Sequence, residues 1–352
     1  MRLGDLFHGI PTIDKIHWDA HRPIKRITAD SRSLEPGDLF VACRGARMDG
    51  HDFLGQAILA KASAVVFENL PEAALPSKVA AVHVPDSRAC LTQILSRFYG
   101  SPDRKIKLTG VTGTNGKTTI AYLLHRLLKE KADSAYVGTL WYELSDERIP
   151  APNTTPSPET LLPFLARVRK EGIEHCVMEV SSHALDQRRV HGLKFELGIF
   201  TQLTQDHLDY HQTMERYFEA KKTFFTDMPE LGHALINQDC PYGQRLLAVR
   251  RGARSYSIKS PADYYALEIE PSFQGSRFRF RYGSRDLRFQ IRLPMMHNVI
   301  NAVAVLASLD LLGYDPDDFR GALQEVAGIP GRMERVGQQE DVQIFVDYAH
   351  TR

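Results

Sequence analysis

The sequence predicts an α/β protein with a small N-terminal α/β domain and a larger domain built on a mostly parallel sheet flanked by helices. The chain has 352 residues, which is more than a single hydrophobic core usually serves. From residue 106 onward, short apolar runs alternate with helical patterns, which is typical of parallel strands covered on both faces. Alternating aromatic residues in 264–293 predict an antiparallel hairpin as an extension of that sheet.

The overall composition is that of an ordinary globular protein, with 43% hydrophobic and 25% charged residues. The 44 basic and 43 acidic side chains nearly cancel, so no general field attracts nucleic acid or an anionic membrane. Cys43, Cys90, Cys176 and Cys240 are too widely spaced for a zinc knuckle or a disulfide framework. Residues 1–11 lack the apolar core of a signal peptide, and no apolar stretch in the sequence has the length of a membrane span. We therefore expect a protein of the reducing cytoplasm without nucleic-acid or membrane partners, and we expect a monomer.

The first domain is predicted over residues 1–102. Its strands are expected in the apolar runs at 38–42 and 64–67, with a helix at 53–62. The polar, proline-containing segment 101–105 follows and is typical of a linker. We therefore expect domains at 1–102 and 103–332, and the beginning of a third domain at 333–352.

The second domain is predicted to alternate strands and helices. Strands are expected at 106–111, 134–140, 176–180, 197–203 and 234–237, and helices at 118–131, 158–171, 297–312 and 316–326. A last strand is expected at 342–346, within the beginning of the third domain. Ser157 is the expected N-cap of the helix at 158–171, with Pro158 in its first turn and Gly172 after its end.

A glycine-rich loop between the first of these strands and its helix carries the strongest local signal. Residues 110–119 read GVTGTNGKTT, which departs from the strict phosphate-loop pattern because Val111 stands where the first glycine is required. The loop still supplies glycines whose backbone N–H groups can surround phosphates, Lys117 for the outer phosphate oxygens and Thr118 for Mg²⁺. A glycine-rich turn without function is the alternative, which the flanking strand and helix disfavour.

Three further side chains point to metal chemistry. Glu179 is predicted at the end of a buried strand, at the edge where α/β folds bind ligands, and a buried carboxylate there needs a cation. An N-cap or a paired surface carboxylate is the alternative for Glu179. His207 and His211 are four residues apart, as in some zinc sites, but no third ligand group accompanies them, which argues against zinc. A structural role for His211 is an equal alternative.

The motifs of the chain, taken in order, resemble those of the Mur ligase family. The loop at 110–119 resembles the phosphate loop that Mur ligases share with folylpolyglutamate synthetases. Further segments resemble Mur ligases in particular: NTTP at 153–156, MEVSSHAL at 178–185, DHLDYH at 206–211, GRME at 331–334 and DYAHT at 347–351. The resemblance covers the chain from Thr28 onward, and it implies an N-terminal uridine-binding domain followed by a central ATP-binding domain.

The resemblance implies an ATP-dependent amide ligase of peptidoglycan synthesis, on which bacterial cell shape and division depend. The expected reaction joins a diamino acid to UDP-N-acetylmuramoyl-L-alanyl-D-glutamate through an acyl phosphate, with ATP and two Mg²⁺ ions. General likeness favours meso-diaminopimelate over L-lysine. The family completes its site with a third domain, of which 333–352 would be the beginning. A catalytically incomplete protein that binds precursor and nucleotide is therefore one alternative, and a folylpolyglutamate synthetase relative is another.

The resemblance also assigns roles to individual residues. Nucleotide contacts are expected at Gly113, Thr114, Asn115, Gly116, Lys117, Thr118, Thr119, Asn298, Arg332 and Asp347. Precursor contacts are expected at Ala29, Ser31, Ala46, Arg47, Met48, Asn153, Thr154, Thr155, Ser181, Gln187 and Arg189. Lys117, Glu179, His207 and Lys221 are expected to be catalytic, and Thr118, Glu179, His207 and Lys221 to bind Mg²⁺. Taken without the resemblance, Asn298 is more typical of a helix start.

Lys221 is expected to carry a carbamate. It lies in the segment YFEAKKTFF at 217–225, which resembles the family's helix with a modified lysine. Addition of CO₂ turns an ammonium, which Mg²⁺ repels, into an oxygen-bearing anion that a hard cation accepts. Spacing alone favours a solvated pair of Lys221 and Lys222, whereas the resemblance favours Lys221 as the modified residue.

Overall fold

The computed structural model describes residues 1–45, 48–69, 75–272, 274–332, 334–339 and 342–348. The chain divides into two compact units. The first unit contains residues 1–102 together with two later segments, 157–167 and 187–193. The second unit contains 103–156, 168–186 and 194–352. Over the described ranges, no helix combines the length and apolar character that crossing a membrane requires.

The first unit is a small sheet covered by helices. Its strands are β1 (Asp14–Ile16), β2 (Ile27–Thr28), β3 (Leu39–Val41), β4 (Ala64–Phe67) and β5 (Ala80–His83), and its helices are α1 (Leu3–Phe7), α2 (Leu54–Leu59) and α3 (Ser87–Phe98). The strand order is β1-β5-β4-β3-β2, and the pairs from β2 to β5 are parallel, while β1 is antiparallel. Phe40, Val65 and Phe67 are fully buried and form the core with residues of α2.

The second unit is built on a large sheet. The structure describes its strands as β6 (Lys107–Thr112), β7 (Ser134–Val137), β8 (Tyr142–Leu144), β9 (Glu147–Ile149), β10 (His175–Glu179), β11 (Phe195–Phe200), β12 (Leu231–Asn237), β13 (Arg254–Ser257), β14 (Tyr264–Ser272), β15 (Gly275–Tyr282) and β16 (Arg285–Ile291). Their order is β16-β15-β14-β13-β12-β11-β6-β10-β7-β8-β9. The strands from β14 to β7 in this order are parallel, and the outer ones are antiparallel.

Helices cover this sheet, and two further strands follow it. The helices of this unit are α4 (Lys117–Leu128), α6 (Ser182–Asp186), α7 (Leu208–His211), α8 (Met214–Thr226), α9 (Pro241–Val249), α10 (Met296–Leu311) and α11 (Arg320–Glu325). Helix α5 (Pro158–Lys170) belongs to the first unit up to residue 167. Strands β17 (Glu334–Gln339) and β18 (Val342–Val346) pair with each other. The core lies where α4 and α10 pack on the sheet, with Leu123, Leu124 and Val303 fully buried.

The strand order places several loops at one edge of the sheet. In the sheet, β6 lies between β10 and β11. The chain continues from β6 to β7 and β10 on one side, and after β10 it crosses to β11 on the other side of β6. Such a reversal opens a crevice at the carboxyl ends of the parallel strands, where α/β folds bind ligands. The glycine loop after β6, Glu179 at the end of β10 and Thr201 after β11 all lie at this edge.

The α/β class, the mostly parallel sheet and the flanking helices are confirmed, with one correction. The expected hairpin at 264–293 is a three-stranded meander, because β14 also belongs to it and pairs with β15. A bulge between Leu267 and Glu270 interrupts the alternation of β14, which hides the strand from a periodicity count. The short β8–β9 hairpin was not predicted either.

Candidate active site

The glycine loop is shaped by two glycines and by the loop after β11. Gly116, the residue before α4, has φ +88°, and Gly113 has φ +149°. A Cβ on Gly113 would lie 1.9 Å from Thr201 Oγ1, so no larger residue fits there. Thr201 Oγ1 donates to the carbonyl of Asn115 at 2.6 Å, and the N–H of Thr114 donates to the carbonyl of Gln202 at 2.7 Å. The loop is therefore fixed before α4 begins.

Lys117 lies across this loop as the first residue of α4. Its Nζ donates to the carbonyl oxygens of Gly113 at 3.1 Å and Thr114 at 2.8 Å. Burial lowers the pKa of the Lys117 amine, and the nearby carboxylate of Glu179 raises it. The amine thus sits at the backbone that would face a phosphate group.

Glu179 is a fully buried carboxylate at the end of β10. Oε2 accepts hydrogen bonds from the hydroxyls of Thr118 at 2.9 Å and Thr139 at 3.2 Å. Oε1 accepts from the hydroxyl of Tyr136 at 2.9 Å and from the N–H of Thr139 at 2.8 Å. All of these donors are neutral. A buried carboxylate with only neutral donors is suited to a cation, and the adjacent Thr118 hydroxyl adds a second hard oxygen ligand.

Thr139 reaches Glu179 because a glycine precedes it. A Cβ on Gly138 would lie 2.2 Å from the Tyr136 hydroxyl oxygen and 2.4 Å from Glu179 Oε1. Burial raises the pKa of Tyr136 well above its ordinary value, and the carboxylate of Glu179 raises it further, so the phenol keeps its proton and donates it. Sequence reasoning missed Tyr136 and Thr139, and the local signal there was the glycine inside the strand predicted at 134–140.

Lys221 is buried against the same loop. It is 1% exposed, its Nζ donates to the carbonyl of Gly113 at 2.9 Å, and the amine lies 4.8 Å from the centre of the Tyr217 ring. Burial lowers the pKa of Lys221 well below its ordinary value, and the nearby charge of Lys117 lowers it further. Lys222, by contrast, is partly exposed and forms an ion pair with Glu219 at 2.8 Å.

Burial distinguishes the two lysines in the structure. Lys221 is buried on α8 together with Tyr217 and Phe224, whereas Lys222 is partly exposed. Buried aromatic residues stand at the same helical spacing from Lys222, so the spacing does not separate the two lysines in the sequence, and the choice of Lys221 rests on the resemblance.

The two histidines differ in their surroundings. His207 directly precedes α7 with φ +52°, and its Nε2 lies 3.5 Å from Asp206 Oδ2. Burial lowers the pKa of His207. His211 is buried, its Nε2 lies within hydrogen-bond distance of Ser182 Oγ at 2.9 Å, and burial lowers its pKa to about 4. His211 therefore supports the loops around the site as a neutral ring.

The expected nucleotide residues beyond the loop lie on α10, shortly before β17 and directly after β18. Asn298 is buried and its Nδ2 donates to the carbonyl of Pro294 at 2.7 Å, which is the helix-start role. Arg332 Nη2 donates to Thr118 Oγ1 at 3.1 Å, and its buried Nε has no hydrogen-bond partner among the described residues. Asp347 is exposed. Asn301, which was not predicted, brings its Oδ1 to 2.8 Å from the Cβ position of Gly116.

A cavity of about 440 Å³ in the second unit brings most of these residues together. Its lining includes the expected nucleotide and metal residues Thr114, Asn115, Gly116, Lys117, Thr118, Thr119, Glu179, His207, Lys221, Asn298, Arg332 and Asp347. Of the expected precursor residues, Thr154 and Ser181 also line it. Among the described residues there is no group of three or more histidine, cysteine or acidic side chains placed to hold a metal, so a cation here would rely on hydroxyl and phosphate oxygens as well.

The remaining precursor residues of the second unit form the support of this cavity. Thr155 is fully buried, and its Oγ1 donates to the backbone carbonyl of Glu179 at 2.8 Å. The same oxygen accepts from the N–H of Ser181 at 2.9 Å. Asn153 has an exposed side chain, and its carbonyl accepts a hydrogen bond from the hydroxyl of Tyr142 at 2.6 Å.

The other expected precursor residues belong to the first unit. The N–H of Ala29 donates to Glu159 Oε1 at 2.8 Å, and the carbonyl of Ser31 accepts from Gln56 Nε2 at 3.2 Å. Two more residues contact each other, since Arg189 Nη2 donates to Gln187 Oε1 at 2.7 Å. Met48 is 62% exposed. Ala46 and Arg47 lie outside the described residues.

Comparison with known proteins identifies relatives of both units. The Mur ligase middle domain matches residues 111–309, and the Mur ligase family catalytic domain matches residues 23–99. A UDP-N-acetylmuramoyl-L-alanyl-D-glutamate--2,6-diaminopimelate ligase from Syntrophomonas wolfei is 38% identical over 100% of this chain and 72% of its own. A ligase of the same name from Gloeobacter violaceus is 40% identical over 93% of this chain and 67% of its own. A solved structure of such a ligase has a TM-score of 0.83 at 27% identity, covering 100% of this chain and 72% of that one.

Proposed function

The chain belongs to the Mur ligase family, and from that premise we propose that it adds meso-diaminopimelate to UDP-N-acetylmuramoyl-L-alanyl-D-glutamate in an ATP-dependent reaction of peptidoglycan synthesis. One observation carries the proposal: Glu179, Thr118 and Lys117 converge at the glycine loop, with Thr118 Oγ1 donating to Glu179 Oε2 at 2.9 Å. This arrangement supplies a cation ligand and a positive charge at the expected position of the outer phosphates of ATP. The expected substrates are cytoplasmic compounds, so we place the reaction in the cytoplasm.

The first chemical step transfers a phosphoryl group to the precursor. A carboxylate oxygen of its terminal D-glutamate attacks the γ-phosphorus of ATP, the bond to the bridging oxygen breaks, and an acyl phosphate and ADP form. Lys117 neutralises negative charge on the transferring group, and the loop N–H groups orient the phosphates. We propose that Asn298, Asn301, Arg332 and Asp347 bind the nucleoside side, because they line or border the same cavity.

The second step forms the amide. The amino group of the diamino acid attacks the acyl carbon, giving a tetrahedral intermediate that expels phosphate as the nitrogen loses a proton. We propose that Thr154, Thr155, Ser181, Gln187 and Arg189 orient the dipeptide and that Ala29, Ser31 and the loop at 46–48 hold the uridine end. Hydroxyls, amides and one guanidinium suit a ligand with carboxylates and sugar hydroxyls.

We propose that the site binds two Mg²⁺ ions. Thr118 and Glu179 offer hard oxygen ligands for the first, and His207 with a carbamylated Lys221 would hold the second. Bound Mg²⁺ would supply charge neutralisation on the phosphates. We also retain the division into domains at 1–102, 103–332 and a third beginning at 333 as part of the proposal.

Carbamylation of Lys221 is favoured by its burial. The neutral amine is the form that attacks CO₂, and the burial of Lys221 lowers the pKa of its amine well below the ordinary value, which increases the share of this form. The nitrogen bonds to the carbon of CO₂ and releases one proton to solvent, leaving a carboxylate on the side chain. Intact mass spectrometry in bicarbonate should detect one added CO₂ in the wild type and in Lys222→Ala, and none in Lys221→Ala. A CO₂ adduct that persists in Lys221→Ala would refute the assignment.

The decisive functional test is product formation. Purified chain is incubated with ATP, Mg²⁺ and UDP-N-acetylmuramoyl-L-alanyl-D-glutamate, with either meso-diaminopimelate or L-lysine, and the products are identified by mass spectrometry. The proposal expects a UDP-tripeptide with meso-diaminopimelate and release of one phosphate per product. Binding of both ligands without product would instead identify a binding protein, and selective binding of a pteroyl-glutamate would favour the folylpolyglutamate synthetase relation.

Precursor binding can be tested separately by calorimetry. UDP-N-acetylmuramoyl-L-alanyl-D-glutamate should bind the wild type, and the double variant Ser31→Ala, Arg189→Ala should bind it at least about tenfold more weakly, since each lost hydrogen bond to a charged group contributes about 1.5 kcal/mol or more. An unchanged dissociation constant in the double variant would remove these residues from the proposed precursor site.

A further inference from the structure

Thr139 contacts both the proposed metal carboxylate and the proposed precursor loop. Its N–H donates to Glu179 Oε1 at 2.8 Å, and its Oγ1 donates to Glu179 Oε2 at 3.2 Å. The same Oγ1 lies 3.1 Å from the hydroxyl oxygen of Thr154. All three residues line the cavity of the second unit.

We propose that Thr139 is a positioning residue that couples nucleotide binding to precursor binding by relaying a hydrogen bond between Glu179 and Thr154. This inference rests on the proposed function, since it takes Glu179 as the residue that faces the nucleotide's cation and Thr154 as a residue that faces the precursor. Thr139 touches neither ligand in this scheme. It acts through the two residues that do.

The chemistry of one hydroxyl group provides the coupling. Thr139 has a single O–H hydrogen and two candidate acceptors, Glu179 Oε2 and Thr154 Oγ1. When Thr139 donates to Glu179, the Thr154 hydroxyl must donate to Thr139 to complete the contact, and its hydrogen is not available to a ligand. When Glu179 Oε2 is engaged by a cation, Thr139 is left with Thr154 as its acceptor. The Thr154 hydrogen is then released toward the cavity, where a precursor carboxylate or carbonyl can accept it.

The backbone around Thr139 and Thr154 is held in place, so the relay depends on their side-chain hydroxyls. Thr155 ties the loop to the strand end, because its buried Oγ1 donates to the carbonyl of Glu179 and accepts from the N–H of Ser181. The backbone on either side of the relay is therefore held, while the hydroxyl of Thr154 remains at the cavity wall. Cation binding at Glu179 would therefore alter the hydrogen bonding of Thr154 through the Thr139 hydroxyl, without moving the backbone of the segment that carries Thr154.

Tyr136 provides a contrast. Its hydroxyl also donates to Glu179, at 2.9 Å from Oε1, but Tyr136 is fully buried. Unlike Thr139, it is not among the residues that line the cavity. Removing the Tyr136 hydroxyl should therefore change the environment of Glu179 without interrupting the relay to Thr154.

Calorimetry can measure the coupling directly as a ratio of two dissociation constants. The precursor UDP-N-acetylmuramoyl-L-alanyl-D-glutamate is titrated into the chain alone and into the chain saturated with Mg²⁺ and a non-hydrolysable ATP analogue. The wild type should bind the precursor roughly fivefold or more tightly in the presence of the nucleotide, within the usual range of coupling between sites. By reciprocity, the nucleotide analogue should bind more tightly by the same factor when the precursor is present.

Matched variants separate the hydroxyl from the rest of the side chain. Thr139→Val keeps the shape and the backbone N–H but lacks the hydroxyl, and its ratio should fall close to one. Thr139→Ser keeps the hydroxyl and should retain at least half of the wild-type ratio, while Tyr136→Phe should leave the ratio unchanged. Adding Thr154→Val to Thr139→Val should produce no further loss of coupling, because both changes break the same relay.

The results that would overturn the relay differ from those that would overturn the proposed function. A wild-type ratio near one, a wild-type ratio in Thr139→Val, or an equal loss in Thr139→Ser and Thr139→Val would each overturn the relay. Circular dichroism and nucleotide affinity of Thr139→Val control for folding, and if that variant does not fold, the Thr154→Val single variant tests the other end of the relay. Failure of the wild type to bind the precursor at all would overturn the proposed function itself, which keeps the two failures distinct.

Discussion

The large sheet of the second unit buries two carboxylates, and they differ in the kind of partner that surrounds them. Glu143 on β8 is 5% exposed and lies within hydrogen-bond distance of the side chains of His125 at 3.2 Å, Lys129 at 3.1 Å, Trp141 at 2.8 Å and Arg148 at 3.0 Å. Burial by itself would raise the pKa of Glu143, but these hydrogen bonds and charges hold it below its ordinary value. Its charge is thus balanced within the protein.

Glu179 on β10 is fully buried, and its hydrogen-bond donors are hydroxyls and one backbone N–H. No cationic side chain forms an ion pair with it among the described residues. Lys117 is close enough for its charge to interact with Glu179, but it forms no direct ion pair with the carboxylate. A buried carboxylate without a direct ion pair is unfavourable, and this one lies at the edge of the sheet where α/β folds bind ligands. The charge of Glu143 is therefore balanced inside the protein, whereas Glu179 has neutral hydrogen-bond donors, which is the arrangement that the proposed function assigns to a cation ligand.

The largest effect is expected for Glu179→Gln. The amide keeps the shape and can still accept at Oε1, but it cannot neutralise a divalent cation. The rate of phosphate release from ATP in the presence of the precursor should fall about 1,000-fold, equivalent to ~4 kcal/mol in the barrier. Thermal unfolding should change little, because no ion pair is lost. Wild-type turnover in this variant would mean that Glu179 is structural, like Glu143.

The reverse pattern is expected for Glu143→Gln. Removing this charge leaves Lys129 and Arg148 without their counter-ion. Because both side chains are partly exposed, the loss should be smaller than for a fully buried pair, and the free energy of unfolding should fall by about 2 kcal/mol. Urea denaturation followed by tryptophan fluorescence, which reports on Trp18 and Trp141 together, measures this loss. The affinity for ADP should stay at the wild-type value, and a large drop in that affinity would contradict the comparison.

The pH dependence of stability should reveal the neutral ring beside Glu143. Burial lowers the pKa of His125, so on acidification through the ordinary range of histidine the unfolded chain takes up a proton at this residue before the folded chain does. The free energy of unfolding should therefore decrease as the pH falls from 7 to 5. Glu143 contributes to the loss of stability only at lower pH. Its pKa in the folded chain lies below the ordinary value of 4.5, so it stays ionised until the pH has fallen below that value.

His125→Asn should reduce this pH dependence without abolishing it. His175 and His211 are also buried, with pKa values lowered to about 4 by burial, and they contribute a decrease of the same sign. Urea midpoints at pH 7 and pH 5 for the wild type and the variant provide the test. If the urea midpoint shifts by the same amount between pH 7 and pH 5 in the wild type and in the variant, His125 does not contribute to the pH dependence.

The smallest effect is expected for Arg148→Met. The Arg148 side chain is 54% exposed, its Nε lies 3.0 Å from Glu143, and its guanidinium lies 4.2 Å from the centre of the Trp141 ring. Exposed ion pairs contribute little, so the free energy of unfolding should fall by about 0.5 kcal/mol. A loss as large as that of Glu143→Gln would indicate that Arg148 is the principal partner of the carboxylate.

The sequence predicted the part of the site that depends on local chain geometry. The expected strand at 106–111 is observed at Lys107–Thr112, and the following helix begins at Lys117. Glycines and the strand-to-helix transition are local signals, and so is the position of Glu179 at a strand end. The family resemblance was confirmed by the comparisons, which match both units of the chain.

The rest of the site depends on contacts between distant segments. Thr139 and Asn301 reach Glu179 and Gly116 only after the sheet has formed, and neither residue lies in a recognisable pattern. The partners of Glu143 come from α4 and from the β8–β9 hairpin, whose strands have three residues each. Strands that short leave no periodicity to read. The difference between the two carboxylates was therefore invisible in the sequence.

The central claim is that Glu179 meets a cation that the nucleotide brings, and titration of ADP by calorimetry with Mg²⁺ or with EDTA tests it most directly. In the wild type and in Glu143→Gln, Mg²⁺ should strengthen ADP binding by at least about tenfold, or ~1.4 kcal/mol. In Glu179→Gln the two dissociation constants should be nearly equal. Retention of the wild-type Mg²⁺ effect in Glu179→Gln, or its loss in Glu143→Gln, would contradict the account.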